Sequence, residues 1–454
     1  MRLFVRSFLL PAVMVATTAF ARPSVVILFT DDQGTLDAGC YGSKDLRTPN
    51  IDKLAATGVR FTQAYAHTVC CPARAALLTG RHPQRGGVRH WTQGDMNAAR
   101  KGINMALSEV TLAEVLQGAG YRTALYGKWH LGAHRDYGPK KQGFDEFFGI
   151  RDGFIDNYNH YFLHGSGFHD LYEGTTSVKA PGKYFPELMT RRALRFIDEN
   201  KARAFFLYVP FNIPHYPEQT PERFAEPFAK MKDPARKSYA AIMAATDYYV
   251  GLILDKLEAH DLRDDTIVIF MSDNGHSEET GNRIRVDNHK SGLSKGHFYG
   301  ASGGGFTGKW MGQKGTFLEG GVRVPAIISY PANLPKGEVR HQVVTAMDWF
   351  PTVVELCGVK APADSPALDG RSLLPLMRDP KKKSPHEVLH FAWGNRWAVR
   401  QGDWKLIGEK GRPQASLHNL ADNKPEATNY AKARPELVDR LRKLHEAWAE
   451  ETAP

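Results

Sequence analysis

Ser24-Val25-Val26-Ile27-Leu28-Phe29-Thr30, followed by Asp31-Asp32, is the stretch that decides the fold class. Its apolar residues run without alternation and begin with three β-branched side chains. A strand of that kind is buried on both faces, as in a parallel sheet. Two further runs repeat the pattern, at Ala204–Phe211 and Thr266–Met271. Amphipathic helices separate them. One opens at Thr48-Pro49, with Thr48 as its cap, Pro49 in its first turn and Ile51, Leu54 and Ala55 on its inner side. Another opens on the capping-box pattern Thr111-Leu112-Ala113-Glu114. Others are expected over Thr190–Lys201 and Ser238–His260, and shorter strands over Val59–Ala64, Tyr121–Tyr126 and Val324–Tyr330. Residues 133–185 read as a long irregular excursion. Such alternation predicts an α/β fold with a large, mostly parallel, doubly wound sheet flanked by helices.

Beyond about residue 360 the pattern changes. Val388–Trp393, Trp397–Arg400 and Trp404–Ile407 are short strands separated by turn residues, which suits an antiparallel sheet. Leu437, Leu441, Leu444 and Trp448 mark one face of a final helix. The expected division is an α/β catalytic domain over 22–345 and a smaller C-terminal α+β domain over 346–454.

The 454 residues, 42% hydrophobic and 24% charged, are those of an ordinary soluble globular chain with room for two domains. Residues 1–21 have the form of a signal peptide. Arg2 and Arg6 precede an apolar stretch from Phe8 to Phe20, and Ala19-Phe20-Ala21 is a small-x-small cleavage site. The apolar stretch is short of the roughly 20 residues that span a bilayer. An exported protein, periplasmic or secreted, with no membrane span after signal removal is therefore expected. Without Arg2 and Arg6, 57 basic residues stand against 49 acidic ones, and this net charge of +8 suggests an anionic partner. The chain carries no helix-turn-helix, zinc-finger or RNA-binding motif, so nucleic acid is not the expected partner. Four cysteines, Cys40, Cys70, Cys71 and Cys357, are too few for a disulfide scaffold.

The chemistry-bearing residues cluster where the strands end. Asp31-Asp32-Gln33-Gly34 follows the first strand, at the edge where open α/β sheets bind ligands. Adjacent carboxylates repel, and need a cation or basic neighbours to stay ionised. Asp273-Asn274-Gly275-His276 repeats the arrangement after Thr266–Met271. Such oxygen donors suit a hard divalent cation, Ca²⁺ or Mg²⁺, and no Cys/His cluster points to zinc. Tyr121–Tyr126 leads into Gly127-Lys128-Trp129-His130, where Lys128 and His130, two apart in an extended segment, would face one anion. Asn212-Ile213-Pro214-His215 closes the Ala204 run.

Between these lies Val69-Cys70-Cys71-Pro72-Ala73-Arg74-Ala75-Ala76-Leu77-Leu78-Thr79-Gly80-Arg81. Pro72 suits a first helical turn, Ala73–Leu78 are strong helix formers, and Gly80 can end the helix. Cys70 would then sit over the positive helix end. The Gly-rich stretch 281–309 carries Arg283, Arg285, Lys290, Lys295 and Lys309, and precedes Lys314-Gly315-Thr316 and Glu319-Gly320-Gly321.

In that order these pieces resemble the sulfatase family, the formylglycine-dependent, arylsulfatase-like branch of the alkaline phosphatase superfamily. Cys70-Cys71-Pro72-Ala73-Arg74 with Thr79-Gly80-Arg81 matches its signature, with Ala73 where the family commonly has Ser. The resemblance implies that a formylglycine-generating maturase oxidises Cys70 to 3-oxoalanine. The aldehyde hydrate is then the nucleophile, and a covalent sulfo-enzyme intermediate follows. It implies one Ca²⁺ held by Asp31, Asp32, Asp273 and Asn274, with converted Cys70 as a further ligand. Arg74 would hold the hydrate, and Lys128 and Lys314 would gather around the ester oxygens. His215 with Lys314 would protonate the leaving alcohol, and His130 would take the proton of the remaining hydroxyl. The implied substrate is a sulfated carbohydrate or aryl sulfate, with a residue of an anionic polysaccharide expected from export and charge, and the basic stretch 281–309 at the pocket mouth. A phosphodiesterase or phosphonate hydrolase on the same fold could share the metal pair and the formylglycine. A non-catalytic carbohydrate-binding relative would be expected to lack Cys70 or a lysine, and neither is missing.

Overall fold

The Ser24 run is the middle of a ten-stranded sheet. The structure, a computed structural model, describes residues 22–94, 102–163, 167–279, 301 and 303–453. The expected signal peptide 1–21 lies outside the described residues, as do Arg283, Arg285, Lys290 and Lys295. The strands are β1 (Ser24–Asp31), β2 (Val59–Tyr65), β3 (Arg122–Lys128), β4 (Glu146–Ile150), β5 (Tyr172–Glu173), β6 (Thr176–Ser177), β7 (Phe205–Pro214), β8 (Thr266–Ser272), β9 (Arg323–Ser329) and β10 (Glu338–Thr345). Their order is β10-β2-β9-β8-β1-β7-β3-β4-β5-β6.

Every residue of β1 is buried, and it pairs in parallel with β7 and β8, Ile27 lying opposite both Tyr208 and Ile269. Successive side chains point to opposite faces. Val25, Ile27 and Phe29 accordingly join one core, and Val26 and Leu28 the other. Helices Cys70–Thr79, Leu112–Gly118 and Trp349–Leu356 cover the first face, and Pro49–Ala56, Phe185–Asn200 and Pro234–Ala259 the second. The continuous apolar run thus has its expected cause, two covered faces. Phe29 alone, fully buried, is a side chain whose burial is worth about 1.5–3 kcal/mol.

β9 is the exception to the common strand direction on this side of the sheet. It pairs antiparallel with both β8 and β2, while β10 is parallel to β2. The carboxyl ends of β1, β3, β7 and β8 therefore share one edge, and β9 begins there rather than ending there.

Three local expectations are corrected. Thr48 does not cap helix Pro49–Ala56, because its hydroxyl accepts from Gly39 N at 2.8 Å. The free helix N–H groups go instead to Asp247, whose Oδ1 accepts from Asn50 N at 3.1 Å and Ile51 N at 2.9 Å. Residues 133–185 are not wholly irregular: β4 extends the parallel sheet beside β3. Its five residues include Gly149 and are too few to show a period. Lys128 ends β3, but His130 leaves it with φ +53°, so an extended alternation does not carry the pair. The capping box at Thr111 and Glu114 is present in full.

The C-terminal region carries an antiparallel sheet, β11 (Val388–Trp393), β12 (Arg396–Gln401), β13 (Trp404–Glu409) and β14 (Ala415–Asn419), in that order. The last strand adds to the three expected. Helix Pro435–Glu451 lays Leu441 and Trp448 against this region. The four cysteines are free thiols.

The two sheets meet on a buried carboxylate. Glu319, fully buried, accepts from Tyr65 Oη at 2.6 Å, Arg323 Nη1 at 3.1 Å and Lys405 Nζ at 2.8 Å. Glu426 holds the same Lys405 at 2.6 Å and accepts from Glu319 N at 2.8 Å. Burial opposes ionisation of Glu319, but Lys405, Arg323 and Arg400 outweigh it and hold its pKa at about 2. Burial pushes the Glu426 pKa up. Because the folded pKa of Glu319 lies below the unfolded value, its ion pairs stabilise the fold above about pH 4.5. That contribution is lost as pH falls toward 2. Lys405→Met leaves two acids without their buried cation and is expected to destabilise the chain by about 3–5 kcal/mol. Urea unfolding at pH 7 measures this, and a loss under 1 kcal/mol would contradict it.

Candidate active site

The acidic turn after β1 and the acidic turn after β8 are cross-braced. Gln33 N donates to Ser272 Oγ at 3.0 Å, Asp273 N to Thr30 O at 3.1 Å, and Asp32 N to Asp273 Oδ1 at 3.2 Å. Asp32 takes φ +65°, a conformation uncommon for a residue with a side chain. Its carboxylate accepts from Asn274 Nδ2 at 2.6 Å and from Lys314 Nζ at 3.0 Å. Asp31, Asp32, Asp273 and Asn274 are all buried.

Cys70 opens its helix as expected, and Gly80 closes it in the left-handed conformation, φ +65°. The Cys70 Sγ lies 3.3 Å from Asp31 Oδ1. The segment before Cys70 is tied to both neighbouring loops: His67 N donates to Asp273 O at 3.4 Å, and Gly315 N to Thr68 O at 2.7 Å. Burial and the Asp31 charge push the Cys70 thiol well above its ordinary pKa. As a thiol it is a poor nucleophile, since the thiolate is the reactive form.

Lys128 Nζ donates to Asp31 Oδ2 at 2.5 Å. Arg74 spans the floor, giving Nη2 to Asp273 Oδ2 at 2.8 Å and Nη1 to Lys128 O at 3.2 Å. Burial disfavours charge on Asp31, yet Lys128, His215 and Arg74 together hold its pKa well below the usual carboxylate range. Asp32 and Asp273 are pushed up to about 7, first by burial and then by neighbouring carboxylates, against Lys314 and Arg74 respectively.

His215 Nε2 lies 2.7 Å from Lys314 Nζ and 3.5 Å from Asp32 Oδ2. Burial and the Lys314 charge lower its pKa to about 4. Lys314 is raised well above its ordinary value by Asp32, Cys70 and Glu279, which overcome burial. The proton of this pair therefore rests on Lys314. His130 is fully buried, with Nε2 at 3.3 Å from Gln93 Nε2 and no hydrogen-bond partner for Nδ1 among the described residues. Burial and Lys128 lower its pKa strongly, so it is a neutral imidazole.

Lys314 is delivered by the reversed strand. Because β9 starts at the catalytic edge, the residues just before it lie there, and Glu319-Gly320-Gly321 makes the approach close enough. A Cβ on Gly275 would fall 1.7 Å from Gly320 O, and one on Gly320 would fall 2.1 Å from Gly312 O. Only bare backbone fits at these crossings.

Nine of the ten residues expected from the sequence are linked at this edge by the contacts above, and His130 lies close enough to feel the charges of Lys128, Arg74 and Asp31. The liganding atoms of Asp31, Asp32, Cys70 and His215 come within 4.8 Å of one another. Asp273 accepts from Arg74 and Asp32 N, and Asn274 keeps Oδ1 buried without a partner among the described residues. A divalent cation fits this donor set: the atoms are mostly hard oxygens, one is orphaned, and burial with neighbouring carboxylates pushes Asp32 and Asp273 up, which a cation would reverse. Sequence reasoning missed Glu279, whose carboxylate accepts from Lys314 Nζ at 3.1 Å, and Gln93 beside His130. It also missed Trp91, which lies parallel to His130 with centroids 5.9 Å apart.

Residues 23–359 match the Sulfatase family model, and residues 309–447 match that of the N-sulphoglucosamine sulphohydrolase C-terminal region. The chain is 32% identical over 409 residues to N-acetylgalactosamine-6-sulfatase of Mus musculus, covering 86% of this chain and 73% of that protein. It is 29% identical over 401 residues to arylsulfatase J of Mus musculus, covering 86% of this chain but 62% of that longer protein. A crystal structure of Ps i-CgsB in complex with k-i-k-neocarrahexaose superposes with a TM-score of 0.78 at 28% identity, covering 94% of this chain and 93% of the other.

Proposed function

The chain belongs to the sulfatase family of sulfuric ester hydrolases, and from that premise we propose that it removes sulfate from a sulfated carbohydrate, using an oxidised Cys70 and one bound Ca²⁺. The observation that carries this reading is the placement of Cys70 as a protonated thiol at a helix start, 3.3 Å from the Asp31 carboxylate that holds buried Lys128. A cysteine so placed is ill suited to act as a thiolate. Oxidation to formylglycine supplies a hydrated aldehyde as nucleophile, and the cation supplies positive charge for the sulfate oxygens.

The remaining work falls to the chain's own side chains. Asp31, Asp32, Asp273 and Asn274 would hold the cation with the modified Cys70. Lys128 and Lys314 offer fixed positive charge where the ester oxygens gather negative charge. Arg74 locks Asp273 and the Lys128 carbonyl, and so sets the floor. His130, held neutral, is in the form that a general base needs to take the proton of the remaining hydroxyl. The Lys314–His215 pair stores one for the departing alcohol. Residues 1–21 would direct the protein to export, where polyanionic sugars are met.

The experiment is a leaving-group comparison on matured protein. His215→Ala is expected to lower kcat/KM on a sulfated sugar by about 10²–10⁴-fold. The loss should be much smaller on p-nitrophenyl sulfate, whose phenol leaves without help. Equal losses on both would remove His215 from the acid role. Hydrolysis of a phosphonate monoester in preference to every sulfate ester would favour the rival chemistry.

A further inference from the structure

A second site lies beside the first. A groove of about 610 Å³ runs between the end of helix Pro435–Glu451, the β11–β12 turn and the segment from Gln84 to His90. That volume is in the range of sites that enclose small ligands. Its floor is aromatic. Trp397 and His445 stack with centroids 4.4 Å apart at 12°, and Trp448 lies 5.2 Å from His445. His445 and Trp448 are 5% and 8% exposed, and His445 Nδ1 and Trp448 Nε1 have no hydrogen-bond partner among the described residues. The floor of the groove therefore offers ring faces on which a sugar can stack.

One wall is cationic. Arg89, Arg396 and Lys410 are exposed, and none makes an ion pair among the described residues. Glu409 beside them is held by Arg412 at 3.2 Å, while Glu446 and Glu450 stand on the helix side. An anion would therefore lie against the arginine wall. That wall continues toward the catalytic edge. His90 follows Arg89 and lies 6.2 Å from Trp393, which meets Trp91 edge-on at 5.4 Å. Trp91, 42% exposed, covers His130.

We propose that this groove is a second subsite, binding a further anionic sugar of the same polymer whose scissile sulfate occupies the catalytic edge. The inference rests on the sulfated-carbohydrate reading above. Trp91 and Trp393 form the aromatic path between the two sites. Guanidinium forks match the planar and tetrahedral oxygens of carboxylate and sulfate. A sugar tethered to a bound neighbour meets the groove at high effective concentration, so weak contacts there add up to a large gain in kcat/KM. The basic stretch around Arg283 is not needed for this, since the cations belong to the groove itself.

The test compares matured wild type with the triple variant Arg89→Ser, Arg396→Ser, Lys410→Ser, all exposed positions that tolerate change. Substrates are p-nitrophenyl sulfate and sulfated mono- and hexasaccharides of galactan and glycosaminoglycan type. Wild type should favour one hexasaccharide over its monosaccharide by about tenfold or more in kcat/KM, an advantage that added salt reduces. The variant should lose that advantage while keeping p-nitrophenyl sulfate turnover within about twofold of wild type. A chain-length advantage that survives in the variant, or its absence from an active wild type, overturns the subsite alone. A wild type inactive on every sulfate ester overturns the reading beneath it.

Discussion

Cys70→Ser will abolish sulfate ester hydrolysis, with kcat falling on the order of 10⁵-fold, while Cys71→Ser keeps most of it. The two neighbours differ in what they touch. Cys70 Sγ faces Asp31 Oδ1 at 3.3 Å, inside the ring of acids and lysines. Cys71 Sγ points away, to His90 O at 3.8 Å, and belongs to the apolar core. A serine at position 70 is close in size and supplies a hydroxyl, but its single oxygen cannot stand in for the two of an aldehyde hydrate. Peptide mass spectrometry should show the Cys70 peptide carrying the thiol-to-aldehyde mass change, and the Cys71 thiol intact. Full turnover by protein whose Cys70 is entirely thiol would falsify the modification.

Asp273→Ala should remove both the metal and the activity, lowering kcat/KM by about 10³-fold or more. Asp273 accepts from Asp32 N and from Arg74, so its loss unseats the other acidic turn as well as the cation. Removing one partner of a buried pair costs about 3–5 kcal/mol, so Asp273→Asn serves as the folded control. Elemental analysis should find one Ca²⁺ per wild-type chain and none in either variant, with circular dichroism unchanged for the amide. Thorough chelation of wild type should reproduce the loss, and added Ca²⁺ should reverse it. Undiminished turnover in metal-free enzyme would exclude the cation.

The sheet and most of the candidate site were legible because four of its residues directly follow or end a distinct apolar run. Asp31, Lys128, His215 and Asp273 all sit at the carboxyl end of a recognisable strand. What escaped has a common physical reason. Glu279, Gln93 and Trp91 act on partners contributed by other loops, so nothing in their own neighbourhoods signals the contact. The direction of β9 was equally silent, because an apolar run reads the same either way. Asp247 caps a helix nearly two hundred positions earlier in the chain, and only tertiary packing makes it the cap in place of Thr48.

The carboxylate of Glu319 is expected to couple the two sheets when the chain unfolds. It sits between the loop that bears Lys314 and the strand that bears Lys405, and Tyr65 and Arg323 bind it from the large sheet. Were the small sheet to open by itself, Glu319 would lose Lys405 and keep only Arg323 and Tyr65. Sub-global opening of one sheet is thereby coupled to the other. Lys314 reaches the candidate site from a loop anchored by the small sheet, and the two sheets are expected to unfold as one unit.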